Sequence, residues 1–524
     1  MAKTLDNQHA SAKTSGFSAG IILFAIAFLI FLAARLWHLS ATCLWFDEVF
    51  SVHAARHSWA EMFKFVAADI IHPPLFYAVL KIWIVIGGES LVWLRLLSVL
   101  FAVAGIAPFY LLCRELNLKP NERNLAFTVI AVSGFLIKYT QEVRMYSLLL
   151  LLSVTSIWLF VRLLRNSRPR ALAALTVCNL LLVYTHYYGW LLVFAQACVV
   201  LISYRRSFSR FLLSAAVLIF TYIPWIYAVA TFREPAKGLA QNIGWIKRPN
   251  AGDLVEYFVL LNKPFLFSQS TLDRADSFLI GWLALLLVGV ALAILVFRRW
   301  RDRAFTEVER VLLALTFLPV ILAAGLSWLL PYSIWGSRHL IISAVPFFIL
   351  AGIAVANLKP NFTKFTVLIG LASVTVLAGV VYSMKPVPNL SWCEWNNLAK
   401  QIPASTLGEP APVVYTFEDL VAYHVWFAPT RTLIPPFNVK VVKGLPGVPD
   451  DPAFFLPRRF SEVEIVPASE IAGQHIWVAY RARRWDDNQP PMRHMKTLGY
   501  QTRNVLSSVA QGEQVFLVEL SRER

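Results

Sequence analysis

The chain contains a series of apolar stretches, each close to the length of a membrane-spanning helix. A helix needs about 20 mostly apolar residues to cross the hydrocarbon core of a bilayer. Hydrophobic residues make up 57% of the 524 and charged residues only 15%, a balance that excludes an ordinary soluble enzyme. The sequence therefore predicts a polytopic α-helical membrane protein with about eleven or more transmembrane helices. The candidate stretches lie near residues 17–37, 92–112, 124–138, 146–164, 171–185, 188–204, 211–230, 277–297, 308–330, 338–357 and 364–383.

The distribution of charge predicts the orientation of these helices. The net charge is +17, but residues 384–524 hold 15 Lys/Arg and 14 Asp/Glu, so the excess lies in the first 383 residues. It is concentrated in short basic loops, which is typical of the cytoplasmic side of a membrane protein and argues against a nucleic-acid partner. These loops are 114–123, 162–170, 205–210, 298–303 and 359–364.

The predicted membrane topology depends on whether the short apolar run at 75–86 crosses the bilayer. It is too short to span and carries Lys81, so we expect an interfacial helix. The basic loops then share a side with residues 1–16, a cytoplasmic tail in front of an uncleaved anchor without an A-x-A site. Residues 17–383 form the transmembrane domain, and its outer segments are 38–91, 139–145, 231–276 and 331–337.

Residues 384–524 read as a separate extracytoplasmic domain. Helix patterns occur at 387–402 and 417–427, and strand patterns at 412–417, 475–480 and 515–520, which predicts a small α/β or α+β domain. Structural support or acceptor binding is its expected role. Of the five cysteines, Cys43 and Cys393 alone fall in external segments. They could pair, but two unpaired thiols are the simpler interpretation.

The first external segment begins with two adjacent carboxylates, Asp47 and Glu48, in LWFDEVFSVHAARHSW. Carboxylates near hydrocarbon are costly unless they are paired, hydrated or functional. They are either a hydrated pair at the membrane boundary or part of a site. His53 and His57 are four residues apart and are interpreted as surface residues of a short helix.

His72 precedes Pro73 and Pro74, which fix an extended entry into the interfacial helix. It is either an ordinary loop residue or a functional residue that the prolines keep outside the helix.

The stretch KYTQEVRMYSL places Glu142 and Arg144 between Tyr139 and Tyr146. The charges could serve solubility alone, but arginine flanked by tyrosines also suits an anionic headgroup. Two later stretches add similar groups. YTHYYGW carries His186, Tyr187 and Tyr188, which could be part of the interfacial aromatic belt, and SRHL carries Arg338 and His339, where Arg338 could be a snorkelling anchor or a second cation for phosphate.

The outer face thus combines carboxylates, cations and aromatic rings, a set suited to chemistry on a lipid-phosphate-linked sugar. A proton-driven transporter would instead place ionisable groups in the middle of its helices.

The order of the motifs LWFDE, HPPL, GES-x3-LRLLS, YTQEVRMYSLLLLL, YTHYYG and SRHLIISAVPFFILAGIA resembles bacterial members of the glycosyltransferase C superfamily. The nearest groups are related to protein O-mannosyltransferases and to the lipid A aminoarabinose transferase. The resemblance covers roughly residues 17–357. One departure is that the bacterial D-x-H-P-P pattern has two isoleucines between Asp69 and His72 here, so Asp69 is a weaker candidate than Asp47.

The resemblance implies an enzyme of the bacterial inner membrane that moves a sugar from an undecaprenyl- or dolichyl-phosphate donor to a lipid, glycan or protein acceptor, with inversion at the anomeric carbon. Asp47 is then the general base and Glu48 its catalytic neighbour, which orients it or assists a metal ion. Lys81, Arg144 and Arg338 hold the donor phosphate. Glu142 is a second acidic site. The remaining implied substrate contacts are His72, Tyr139, Tyr146 and Tyr187.

The resemblance leaves two questions open. No cofactor is certain, although Asp47, Glu48, His72 and Glu142 could bind a divalent metal ion. A transporter or flippase of a lipid-linked sugar would share the phosphate contacts without a base, and a non-catalytic scaffold with a sugar-binding tail is a third interpretation.

Overall fold

The apolar stretches form helices throughout the part of the chain that the structure describes. The structure is a computed structural model, and it describes residues 20–166, 168–205, 208–233, 243–265, 274–387, 389–403, 410–431, 437–448, 456–458, 460–510 and 512–522. The predicted cytoplasmic tail, residues 1–16, lies outside this range. The chain divides into a membrane unit (Met1–Leu39, His72–Tyr227 and Ile246–Pro386) and a tail unit (Ser40–Ile71, Ala228–Trp245 and Val387–Arg524).

Helices make up the membrane unit almost entirely. In chain order they are α1 Gly20–Leu36, α4 Leu75–Gly87, α5 Leu91–Ala104, α6 Ile106–Glu115, α7 Pro120–Val132, α8 Gly134–Tyr139, α9 Tyr146–Asn166, α10 Pro169–Thr185, α11 Gly189–Ser203, α12 Phe208–Phe232, α13 Ala251–Asn262, α14 Arg274–Arg301, α15 Glu307–Leu329, a 3-10 helix Ser337–Ser343, α16 Ala344–Ala356 and α17 Asn361–Met384. Helix α12 continues a few residues into the tail unit. Helices α2, Phe46–Arg56, and α3, Trp59–Asp69, belong to the tail unit.

Seven segments of the described chain are long and apolar enough to cross a membrane. They are Leu91–Glu115, Tyr146–Arg165, Phe208–Phe232, Leu279–Arg301, Glu307–Leu329, Ser337–Ala356 and Asn361–Met384. Four apolar helices are shorter: Gly20–Leu36, Leu75–Gly87, Pro169–Thr185 and Gly189–Ser203. The polytopic helical class is confirmed, while the number of spans stays a prediction. The predicted stretch 124–138 is not one helix, because the backbone leaves the helical conformation at Ser133, between α7 and α8.

The spans differ in how deeply they are buried. The most apolar 18 residues of Ser337–Ala356 are 89% buried within the protein, against 17% in Asn361–Met384, so the first helix is enclosed by its neighbours and the second is largely exposed. Gly352 lets α16 lie against α7, since a Cβ there would be 2.5 Å from the carbonyl oxygen of Glu122.

A stacked tryptophan pair joins α4 to α5. The rings of Trp83 and Trp93 lie 4.1 Å apart and 3° from parallel. Each indole N–H donates to the backbone oxygen of the other residue, at 2.7 and 2.9 Å. A Cβ on Gly87 would meet the Trp93 ring at 2.0 Å, so only glycine fits beneath the pair.

Polar side chains buried among the helices satisfy one another. Ser156 of α9, Asn179 of α10 and Gln196 of α11 are 0% exposed and form a closed ring of hydrogen bonds of 2.5, 3.1 and 2.8 Å. Arg35, near the end of α1, is also 0% exposed. Its guanidinium donates to the carbonyl oxygens of Ile130 and Ala131, which are among the last of α7 and have no partner within that helix.

The tail unit is built on one six-stranded sheet of order β3-β2-β1-β4-β6-β5. The strands are β1 Val413–Thr416, β2 Asn438–Lys443, β3 Val463–Pro467, β4 His475–Ala482, β5 Gln501–Ala510 and β6 Glu513–Ser521. Strands β1 to β4 pair in parallel, and β6 pairs antiparallel with β4 and β5. The helices are α2 Phe46–Arg56, α3 Trp59–Asp69, α18 Ser391–Ala399, α19 Asp419–Phe427 and α20 Pro490–Thr497. The predicted small α/β domain is confirmed.

The sequence reasoning missed strands β2, β3 and β5. Strand β2 falls in the proline-rich region 435–457, for which the sequence analysis predicts no strand. The reading of unpaired thiols is wrong, because Cys43 and Cys393 form a disulfide across 350 positions. It ties the segment that carries α2 and α3 to the start of α18.

Candidate functional site

His72 lies in the turn that leads into α4. Ile70 ends α3 in the left-handed conformation, with φ 60°, and Pro74 caps the start of α4. This local geometry holds His72 outside any helix, as the proline pair predicts, and the side chain is only 4% exposed.

Arg144 lies beside His72 in the membrane unit. It belongs to the short turn between α8 and α9 and is 3% exposed. One terminal nitrogen is 3.4 Å from His72 Nδ1, and the other donates to the hydroxyl of Tyr77 at 3.4 Å. A guanidinium has donors only, so His72 Nδ1 is the acceptor of this contact.

His186 follows α10 at its C-terminal end and is 3% exposed. Its Nδ1 accepts a hydrogen bond of 3.0 Å from the backbone N–H of Tyr188. The Tyr188 hydroxyl in turn donates to the backbone oxygen of Ile334 at 2.5 Å, which ties this corner to the segment before the 3-10 helix. The His186 ring centroid is 5.2 Å from that of His72.

The 3-10 helix Ser337–Ser343 brings two more groups to the same place. The ring of His339 lies 4.6 Å from that of His186 and 6.0 Å from that of Tyr146. The Arg338 guanidinium lies over the Tyr146 ring, 5.8 Å from its centroid, in a cation–π contact. Three histidines and two arginines from four separate stretches of chain therefore meet in this site, which we call the histidine cluster.

The histidines outside the spans are held neutral. Burial, followed by repulsion from Arg144, lowers the pKa of His72 well below its usual value. Burial, then Arg144 and Arg338, lowers the pKa of His186 to about 3. A neutral imidazole carries one N–H donor and one acceptor nitrogen.

The spacing of the three rings suits a metal ion, because one ring nitrogen from each of His72, His186 and His339 lies within 4.8 Å of the others. The Nε2 atoms of all three are buried and have no hydrogen-bond partner among the described residues. In His72 and His186, however, Nδ1 accepts a hydrogen bond, so the proton of the neutral ring is on Nε2. A protonated nitrogen cannot bind a metal, so this donor set does not fit one.

Several of the predicted site residues meet here. His72, Arg144 and Arg338 belong to the histidine cluster. Tyr146 packs against His339 and Arg338 at its edge, and the Tyr139 ring lies 5.2 Å from the Tyr146 ring. Glu142 is 3% exposed, and its backbone oxygen accepts from the Ser98 hydroxyl at 2.6 Å.

Two predicted residues have other surroundings. The Tyr187 hydroxyl lies 3.3 Å from the Trp225 indole N–H, and Lys81 lies in the middle of α4, half-buried.

Asp47 and Glu48 belong to the tail unit, in the first turn of α2. Glu48 is 0% exposed, and its carboxylate accepts from the backbone N–H of Trp45 at 3.1 Å, which caps the start of the helix. Asp47 is half-buried, and its backbone oxygen accepts from the Ser51 hydroxyl. The expectation of surface histidines on α2 is wrong for His53, which is 5% exposed and packed among aromatic rings of the tail unit.

Four contributors to the histidine cluster had no site role assigned from the sequence: His186 itself, Tyr77, Tyr188 and His339. Tyr77 binds Arg144, Tyr188 fixes the tautomer of His186, and His339 completes the set of rings. Each lies within five residues of a predicted site residue. The motifs therefore identified the segments of the chain that form the site, but no local sequence pattern shows which of their side chains take part in it.

Residues 71–227 match the family model described as dolichyl-phosphate-mannose-protein mannosyltransferase. The range includes His72, Arg144 and His186. No curated protein matches the chain by sequence.

Solved structures extend the likeness over the whole chain. ArnT of Cupriavidus metallidurans bound to undecaprenyl phosphate superimposes with a TM-score of 0.60 at 13% identity, covering 95% of this chain and 97% of that one. Its apo state gives 0.58 at 13% identity, covering 97% and 98%. The oligosaccharyltransferase of Archaeoglobus fulgidus gives 0.48 at 15% identity over 78% of this chain, which spans 63% of that protein's length.

Proposed function

We propose that this chain, whose fold is similar to that of ArnT, is a member of the glycosyltransferase C superfamily that transfers a sugar from a polyprenyl-phosphate donor to an acceptor at the outer face of a bacterial inner membrane. The observation that carries the proposal is the superposition over nearly the full length of both chains on ArnT, a protein solved with undecaprenyl phosphate. The motif-by-motif resemblance of the sequence supports it.

The proposed reaction is a single displacement. Asp47 takes the proton from an acceptor hydroxyl, whose oxygen bonds to the anomeric carbon from the face opposite the phosphate. The bond between that carbon and the phosphate oxygen breaks, and polyprenyl phosphate leaves with the electron pair. Such a base works when it is within hydrogen-bond reach of the proton that it removes.

Cations stabilise the negative charge that develops on the leaving phosphate. Arg144 and Arg338 are suited to this role, because a guanidinium presents several N–H donors that match phosphate oxygens. Arg144 is buried, so its charge acts through little solvent. Lys81 is the third proposed phosphate contact, Glu142 the second acidic site, and Tyr139, Tyr146 and Tyr187 the proposed sugar contacts.

The proposed topology has residues 17–383 in the membrane, the N-terminus in the cytoplasm, and the loop 38–91 and residues 384–524 in the periplasm. The disulfide between Cys43 and Cys393 supports this orientation, since disulfides persist in oxidising compartments.

The test separates catalysis from donor binding. In a deletion strain, wild type and Asp47→Asn are compared by mass spectrometry of glycolipids, envelope glycans and secreted proteins. Binding of undecaprenyl phosphate to the purified chains is measured in parallel. We expect Asp47→Asn to lose the transferred sugar and to keep its affinity for undecaprenyl phosphate. Asp487→Asn, an exposed aspartate of the tail unit, is the matched control and should transfer normally.

Two results would count against the proposal. Retained transfer in Asp47→Asn would show that Asp47 is not the general base. Movement of a lipid-linked sugar across proteoliposomes by both wild type and Asp47→Asn, with no transfer by either, identifies a flippase instead.

A further inference from the structure

We propose that the Nε2–H groups of His72 and His186 are neutral hydrogen-bond donors that bind a phosphate group together with Arg144 and Arg338. That this phosphate is the one carried by a polyprenyl donor rests on the function proposed above. The site is an anion receptor, although its three rings have the spacing of a metal site.

The contact with the Tyr188 backbone fixes the tautomer of His186. The Tyr188 backbone N–H can only donate, and its 3.0 Å contact with Nδ1 therefore requires a lone pair there. The proton of the neutral ring must be on Nε2, which is buried and has no hydrogen-bond partner among the described residues.

The contact with Arg144 fixes the tautomer of His72. Arg144 is donor-only and lies 3.4 Å from His72 Nδ1, so Nδ1 accepts and Nε2 carries the proton. This Nε2 is also buried and without a partner in the described part of the chain. The two rings lie edge to face, 5.2 Å apart, so both donors belong to one small region.

Buried donors without partners are costly, and they are rare in folded proteins unless a ligand completes them. The missing partner must be an acceptor. The two charged side chains that act on both histidines are Arg144 and Arg338, both positive, so an anionic acceptor is favoured. Phosphate oxygens satisfy both requirements, since they accept several hydrogen bonds and match the arginine donors.

A neutral N–H donor stabilises the phosphate in a way that a further cation could not. It lowers the energy of charge that develops on the phosphate without adding to the repulsion between two buried cations. Burial keeps both rings neutral at physiological pH, so the donors are present whenever the donor lipid binds.

The experiment replaces each histidine by an amide and by an apolar side chain of similar length. Glutamine places an N–H donor close to the position of Nε2, whereas methionine has none. In the full-length protein we expect His186→Met and His72→Met each to weaken undecaprenyl phosphate binding by about tenfold or more, the value of one hydrogen bond to a charged group. The glutamine variants should stay within about threefold of wild type. His424→Met changes a buried histidine of the tail unit and should bind normally.

Metal content is measured on the same samples. We expect no stoichiometric transition metal in wild type and no effect of a chelator on binding. Equal losses in the glutamine and methionine variants, or unchanged binding in both methionine variants, would overturn the proposal, as would one zinc per chain lost in all four. If one methionine variant is aggregated, the pair at the other histidine gives the same comparison.

Uncharged undecaprenol and inorganic phosphate separate the two parts of the inference. If inorganic phosphate binds and depends on His72 and His186 but undecaprenyl phosphate does not bind, the anion site stands and the lipid donor is wrong. If undecaprenol binds as tightly as undecaprenyl phosphate and the variants change neither, the phosphate site is wrong while a lipid substrate remains.

Discussion

His53 Nδ1 lies 2.9 Å from the Tyr423 hydroxyl, which joins α2 to α19 within the tail unit. Trp426 and Phe460 pack around the same imidazole, with ring centroids 4.8 and 5.3 Å away. Residues near the start of the chain are thus part of the core of the C-terminal unit, which explains why the histidine is buried.

This burial predicts acid sensitivity of the tail unit. Burial, then His57 and Arg56, lowers the pKa of His53 to about 3, and burial, then Arg481, does the same for His424. In the unfolded state both histidines bind protons below about pH 6.5, whereas in the folded state they do not until about pH 3. The free energy of unfolding therefore decreases as the pH is lowered from about 6.5 to about 3. We expect a loss of up to about 1.4 kcal/mol per pH unit for each histidine.

The measurement is the free energy of unfolding of the tail unit within the full chain between pH 7.5 and 5. His53→Phe should flatten the dependence, and His475→Asn, at an exposed position, should leave it unchanged. A slope that is the same in His53→Phe and wild type would contradict the assignment.

The disulfide predicts a specific pattern of thiol reactivity. Of the five cysteines, Cys113, Cys178 and Cys198 are free, so a denatured sample should take up three alkylating groups before reduction and five after it. Cys43→Ser or Cys393→Ser should destabilise the tail unit by about 2–4 kcal/mol. Cys198→Ser is the control and should keep the linkage. Five reactive thiols without reductant would show that the bond is absent.

The hydrogen-bonded ring in the membrane unit predicts non-additive mutations. Asn179→Leu leaves the Ser156 hydroxyl without its acceptor and the Gln196 amide oxygen without its donor, which should cost about 1–3 kcal/mol for each unsatisfied group, although Gln196 Nε2 can still donate to Ser156 Oγ. The triple variant Ser156→Ala, Asn179→Leu, Gln196→Leu removes all the polar groups at once and should lose less than the sum of the single variants. Thermal unfolding in detergent measures both. Additive losses would mean that the three side chains act independently.

The contacts of Arg35 predict that lysine cannot replace arginine at this position without a loss of stability. Its guanidinium reaches the oxygens of Phe31, Ile130 and Ala131 together, and it also lies 3.5 Å from the Phe31 ring centroid. An ammonium group cannot span these acceptors, so Arg35→Lys should cost about 1.5–3 kcal/mol. Arg298→Lys, which alters one exposed contact to the Lys359 oxygen, should cost less than about 0.5 kcal/mol in the same assay. Equal losses would contradict the capping role.

Features that depend on neighbouring residues could be predicted from the sequence. Length and hydropathy identified the helical stretches, and the proline pair identified the entry to α4. The alternating apolar pattern identified β1, β4 and β6. Strand β2 was missed because the prolines around it outweighed its own pattern, NVKVVK.

Features that join distant residues could not be predicted. His72, His186 and His339 are separated by more than 100 positions at each step, and only the packing of α4, α10 and the 3-10 helix brings them together. The tautomers depend on single donors, the Tyr188 N–H and Arg144, whose positions follow from that packing. The role of Glu48 as a helix cap could have been predicted from the sequence, because it lies three residues after Trp45 at the start of α2.

The stacked indoles of Trp83 and Trp93 make this protein its own spectroscopic probe. Two parallel chromophores at 4.1 Å couple their electronic transitions, and the resulting circular dichroism band depends steeply on their separation and angle. Because α4 begins three residues after His72 and ends beneath this pair, movement of the helix when a lipid phosphate binds would change the band without any added label.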